Sequence, residues 1–184
     1  MSNHHFTLIV EGRDMQQDDV IDSLFECGCD DGTVGRSDGI QFVTFDREAN
    51  GLEEAVLSAV NDIEQIPGLE VVRIADAGLV SMADIAARTG RTRESVRLLI
   101  SGARGPGGFP APVTDPRSRY RLWRWLEVDL WLGAYANEES NAADDGLMVA
   151  INASLEFRHY ACRLSPRLQD SVRSLAAPRD NTVR

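Results

Sequence analysis

The chain contains no lysine; all nineteen of its basic residues are arginine. No run of eighteen apolar residues occurs, so no stretch is expected to span a membrane. Met1-Ser2-Asn3-His4-His5 lacks the basic region and apolar stretch of a secretory signal, and a cytoplasmic location is the expectation. Cysteine is scarce. Cys27, Cys29 and Cys162 form an odd set with no framework spacing, which argues against a disulfide scaffold and for reduced thiols. Cys27-Gly28-Cys29 is too tight for the usual zinc knuckle, although His4 and His5 could in principle join the two thiols in a metal set. No Ser/His/Asp order, paired metal ligands or nucleotide fingerprint is present, so neither catalysis nor a cofactor is expected. His159, on a helix with Tyr160 and Cys162, is expected to be structural.

What the chain does have is apolar substance and an uneven charge. Apolar residues make up 43% of 184, enough for one large core or two small ones. The net charge is −10. Between Ser81 and Trp125, however, nine arginines face only Asp84, Glu94 and Asp115, a local charge of +6 that leaves −16 for the remainder. A positive island in an acidic chain points to an anionic partner for that island.

Residues 5 to 11 alternate, with Phe6, Leu8 and Val10 on one face, as in a strand. Asp18 and Asp19 open a helix carrying Val20, Ile21, Leu24 and Phe25 on one side, the side expected to be buried, and Gly28 ends it. Strands near Thr33 to Arg36 and Ile40 to Asp46 flank Ser37-Asp38-Gly39, a hairpin signal. Leu52, Ala55, Val56, Ala59, Val60 and Ile63 repeat at helical spacing up to Pro67-Gly68, and Leu69 to Ile74 is a last strand. The order β-α-β-β-α-β over residues 5 to 76 predicts a ferredoxin-like sandwich within an α+β fold. Its first loop, Glu11-Gly12-Arg13-Asp14-Met15, does not match the Gly-rich loop ending in Phe-Arg that acylphosphatases require. After a junction from Asp76 to Leu79, residues 137 to 146 are polar and acidic and predict a linker. Leu147 to about Arg163 predicts a helix. A second helix starts at Ser165-Pro166 with Leu168, Val172 and Leu175 in register, and Pro178 ends it before a loose tail. Three parts follow: 1–78, 79–135 and 136–184.

Met82 to Gly90 is expected to be a first helix and turn, and Thr92 to Ser101 a second helix with Thr92 as its N-cap. Ile85, Ala86, Val96 and Leu99 fall where two packed helices need apolar or small residues, and Gly90 where the turn requires positive φ. Arg91, Arg93, Glu94, Ser95 and Arg97 are left on the outer, N-terminal part of the second helix. In helix-turn-helix proteins that part enters the major groove, where Arg bonds guanine and Glu accepts from cytosine. Arg104 follows in a loop. Arg117, Arg119 and Arg121, at period two, are expected on one face of a strand, aimed at phosphates and the minor groove.

Phe109, Pro110, Pro112 and Val113, then Trp125, Val128 and Trp131, carry a resemblance. The region from about 81 to 132 resembles the AlpA/excisionase branch of the MerR-like winged helix-turn-helix superfamily. There a helix-turn-helix is followed by a Phe-Pro-x-Pro-Val loop, a basic hairpin wing and a Trp-containing strand leading into a short helix that ends in Trp-Leu, here Trp131-Leu132. The resemblance implies a bacterial-type transcriptional regulator that binds double-stranded DNA, with residues 92–101 as recognition helix and a wing near 113–125. A homodimer reading two half-sites is one accompanying expectation, and side-by-side binding, as excisionase-type domains also show, is the other. Two other roles fit the same residues. The acidic domain would bind a basic protein partner, as an antitoxin or inhibitor does, while the winged domain represses its own operon; or the protein would bend DNA as a recombination-directionality factor. The Gly105-Pro106-Gly107-Gly108 stretch has no strand before it and no Lys-Ser/Thr after it, which disfavours a phosphate cradle. Of Trp123, Trp125 and Trp131, at least two are expected in a core rather than stacked on bases.

Overall fold

The computed structural model describes residues 1–75, 78–136 and 142–176, with backbone alone for 142–145. The fold is α+β. A four-stranded antiparallel sheet has the order β2-β3-β1-β4, from β1 (Ser2–Gly12), β2 (Gly32–Ser37), β3 (Ile40–Ala49) and β4 (Leu69–Ile74). Helix α1 (Asp18–Glu26) connects β1 to β2, and α2 (Leu52–Glu64) connects β3 to β4. Alternation works as expected. Phe6, Leu8 and Val10 pair across β3 with Phe45, Val43 and Gln41, and all six are buried. Val20 and Leu24 of α1 and Ala55, Val56, Ala59, Val60 and Ile63 of α2 close the same core. Each fully buried Leu, Val or Phe here contributes on the order of 1.5–3 kcal/mol. Ile21 and Phe25, expected on the buried side of α1, are instead exposed, Phe25 at 67%. One turn-spaced pair, Val20 and Leu24, is enough to seat so short a helix.

The β2–β3 turn places Asp38 at φ 50° and Gly39 at φ 81°. Two successive positive φ values match the twist of a tight hairpin, which is why Asp-Gly serves there. Arg47 alternates inward with Phe45 and Ala49 and is buried. Its guanidinium meets Asp31 through Nε at 2.8 Å and Nη2 at 2.9 Å, Asp62 and Ser58 through Nη1 at 2.7 and 2.9 Å, and the Gly28 carbonyl through Nη2 at 2.6 Å. Burial opposes the charge, but the hydrogen bonds to Asp31 and Asp62 outweigh it and hold Arg47 above its ordinary pKa. Cys29 lies beside this network. Burial first, and then the Asp62 carboxylate, push its thiol up to about 12. Among the described residues no group of three or more His, Cys, Asp or Glu side chains stands in metal-binding geometry.

A second, smaller unit follows. Strand β5 (Leu79–Ser81) pairs antiparallel with β6 (Leu122–Arg124), and helices α3 (Met82–Arg88) and α4 (Arg93–Ile100) lie between them in sequence. Helix α5 (Trp125–Ala136) continues from β6, four residues past the expected end at Leu132. Val80, Ile85, Ala86, Val96, Leu99, Trp123, Val128 and Leu132 form its core.

Helix α6 (Ala142–Ala161) begins inside the stretch expected to be a linker; residues 137–141 of that stretch lie outside the described residues, as do Asp76, Ala77 and the tail with Pro178. The helix buries Leu155 in the first core, with Met148 and Ile151 packed against it. It also serves the open edge of β4. Asn152 Oδ1 accepts from the Ile74 amide at 2.7 Å, and Arg158 donates to the Val71 carbonyl at 2.9 Å while pairing with Glu64. Glu64 in turn accepts from the Val71 amide at 3.0 Å. An edge strand is thereby given partners and kept from pairing with another chain. Helix α7 (Pro166–Ala176) follows, and its Leu168, Val172 and Leu175 are exposed. Among the described residues no helix is long and apolar enough to cross a membrane.

Candidate nucleic-acid interface

Helices α3 and α4 are fixed at their starts by their own sequence. Ser81 caps α3 by accepting from the Ala83 and Asp84 amides at 3.2 and 3.3 Å, and Asp84 returns the bond to the Ser81 amide at 2.8 Å. This is a reciprocal capping box. The Ser81 hydrogen bonds hold the Asp84 carboxyl below its usual range. The turn to α4 runs through Gly90 at φ 62°, a left-handed conformation that glycine adopts without strain. Thr92 then caps α4, its hydroxyl accepting from the Ser95 amide at 3.1 Å.

The capped helix is two-sided. Val96 and Leu99 are buried against Ile85 and Ala86, whereas Thr92, Arg93, Glu94 and Arg97 are exposed and Arg91 and Ser95 half-buried. The expected residues of the second helix thus share its outer N-terminal part. They are not equivalent. Arg97 is held by Glu94, and Arg91 has a buried Nε with no hydrogen-bond partner. Arg93 makes no ion pair among the described residues and lies close enough to Asp84 to contribute to its lowered pKa.

Aromatic side chains tether the loop after α4. Trp131 Nε1 donates to the Gly107 carbonyl at 3.0 Å, and Trp123 Nε1 to the Pro110 carbonyl at 3.1 Å. Phe109 packs edge-on to both rings, at 5.0 Å from Trp131 and 6.4 Å from Trp123. The glycine-rich loop is therefore pinned from inside while Arg104 remains exposed on it. Trp123 is fully buried; Trp125 and Trp131 are partly buried against the same core.

The segment carrying Arg117, Arg119 and Arg121 departs from expectation. No strand contains them, since β6 begins only at Leu122. The Val113 amide bonds the Leu122 carbonyl at 2.8 Å, and the Leu122 amide bonds Thr114 Oγ1 at 3.1 Å, closing the base of a loop. Inside it Pro116 cannot donate to a ladder, and the Ser118 amide turns back to the Asp115 carbonyl at 2.8 Å. All three arginines are exposed at this loop. Arg117 is clamped by Asp115 at 3.0 and 2.8 Å, Arg119 lies 6.0 Å over the Tyr120 ring, and Arg121 lies 5.7 Å over Trp123. Arg88, one of the nine arginines of the positive island but not among the expected contact residues, stacks its guanidinium 5.0 Å over Trp125.

Comparison with protein-family models, curated proteins and solved structures yields no match.

Proposed function

We propose that the protein is a sequence-specific double-stranded DNA-binding regulator, with α4 in the major groove and the 113–122 loop as a wing on the backbone. The observation that carries this reading is the outer N-terminal part of α4. A Thr92-capped helix exposes Arg93, Glu94 and Arg97 while its opposite side is locked into a core. Those side-chain types match the donor and acceptor pattern of guanine and cytosine in the major groove. The exposed Arg104, Arg117, Arg119 and Arg121 are suited to phosphates, which set register without reading sequence. Helix, turn, helix, pinned loop and short strand in this order favour a winged helix-turn-helix of the AlpA/excisionase kind. The βαββαβ order over an antiparallel sheet favours a ferredoxin-like sandwich for the N-terminal part. That part is a candidate for dimerisation or partner binding.

Selection of binding sites from a random duplex pool tests the reading. A recurring motif, protected in a footprint and lost in Arg93→Ala, is the expected result; a pool that never converges sinks it.

One observation favours a second role alongside the first. Phe25 and Ile21 stand exposed on α1 among Asp18, Asp19, Asp22 and Glu26, an apolar centre with an acidic rim suited to a basic protein partner. Loss of a co-purifying basic protein on Phe25→Ser checks it.

A further inference from the structure

Glu11 of β1 and Glu70 of β4 are direct cross-strand partners. Like charges in that position repel. His159 of α6 reaches in beside them, with Nε2 3.9 Å from Glu11 and Nδ1 3.7 Å from Glu70. Both separations are too long for hydrogen bonds, and Nδ1 is buried without a partner. Two carboxylates and an unsatisfied ring nitrogen are thus held together by the packing of α6 on the sheet edge.

A cavity of about 520 Å³ opens at this place, within the range of small-molecule sites. Glu11, Arg73, Glu156, His159 and Tyr160 line it, with Val72 among its apolar contacts. Val72 has no cross-strand partner, because the β1–β4 register shifts between Ile9 and Val10. Such bulges re-aim side chains and recur beside functional sites. Arg73 makes no ion pair among the described residues, so the lining carries two carboxylates, Glu11 and Glu156, and one guanidinium outside any ion pair.

We propose that this cavity binds a small organic ammonium ion. The ammonium donates to Glu11 and Glu156, and its apolar body lies against Val72 and Tyr160. Two sources share that chemistry. A diamine uses the carboxylates alone; an α-amino acid also places its carboxylate on Arg73. The site is formed by the sheet and α6, and its occupancy is measured without DNA.

Calorimetric titration of the full chain with 1,4-diaminobutane, L-leucine and propionate tests this. At least one ammonium compound is expected to bind one-to-one with Kd no weaker than about 1 mM, and propionate not at all. Glu11→Gln/Glu156→Gln is expected to weaken binding at least about tenfold. A preference for leucine that Arg73→Met abolishes identifies the amino-acid class; diamine binding untouched by Arg73→Met identifies the other. Should the double variant lose thermal stability, Tyr160→Ala carries the same test at an exposed ring. No saturable heat from either ammonium compound up to about 10 mM, or binding unchanged in the folded variants, overturns the proposal.

Discussion

Arg97 and Glu94 are joined on the outer side of α4 by two hydrogen bonds, Nε to Oε2 at 2.8 Å and Nη2 to Oε1 at 2.6 Å. The bond from Arg97 holds the Glu94 carboxyl below its usual range, and the bond to Glu94 raises Arg97 above its own. Both groups are exposed, so the pair does little for folding. Its consequence is directional: the guanidinium is pre-aimed and the carboxylate repels phosphate. Glu94→Gln is therefore expected to leave Tm nearly unchanged, to tighten binding to random duplex, and to lower the ratio of specific to non-specific affinity. Competition binding measures that ratio; a ratio that stays constant argues against Glu94 facing the bases.

Burial reverses the sign of importance at Arg47. Its partners Asp31 and Asp62, both partly buried, are left without a cation in Arg47→Met. Breaking a buried pair from one side costs on the order of 3–5 kcal/mol. Urea denaturation should show that loss, and Arg47→Met/Asp31→Asn/Asp62→Asn should recover much of it. A single variant as stable as the parent contradicts the network's role.

The pinned loop offers a separate test. Trp123→Phe removes the Nε1 hydrogen bond to the Pro110 carbonyl and leaves a small void in a fully buried site. Together these are expected to cost about 1–3 kcal/mol in chemical denaturation. Proteolysis within residues 102–112 should accelerate, because the loop loses one of its two indole tethers.

Acid should act on the α3 cap. The Asp84 carboxyl sits below its ordinary pKa because Ser81 donates to it. A depressed carboxyl contributes stability that is fully present above the unfolded-state pKa of about 3.9 and lost as pH falls through the folded value. Wild type should exceed Asp84→Asn in Tm near neutrality, and the gap should close towards the acid end of a pH series. Ser81→Ala, which deletes the cap itself, is expected to cost about 1 kcal/mol.

Thiol reactivity should follow exposure. Cys162 is exposed, Cys27 half-buried, and Cys29 buried with its thiol raised to about 12. Since the thiolate is the reactive form, native labelling should modify Cys162 first and Cys29 only on unfolding.

Local signals in the sequence were reliable where one interaction decides the structure. Asp38-Gly39 makes its hairpin, Thr92 caps its helix, and β4 spans the β-branched run from Leu69 to Ile74. They failed where tertiary packing decides, or where one local signal overrides another. Ile21 and Phe25 fit a helical stripe wider than the one α1 buries. Residues 142–146 were polar enough to suggest a linker, yet Ala142 and Ala143 are strong helix formers and α6 starts there. Arg117, Arg119 and Arg121 alternate like a strand, but Asp115 and Pro116 make a turn that denies them a ladder. The ring of His159 meets Glu11 and Glu70 only because α6 docks on a strand edge some ninety residues earlier in the chain, a contact no local pattern encodes.

The most direct measurement is the affinity for the selected duplex across a salt series, for the parent and for Arg93→Ala/Arg121→Ala. Neutralising about six to eight phosphates predicts log affinity falling against log salt with a slope of about −5 to −7. The double variant should be weaker, with a slope shallower by about one to two and a reduced preference for the selected site. Absence of duplex binding at micromolar protein in low salt, or binding indifferent to salt and to both arginines, would contradict the account.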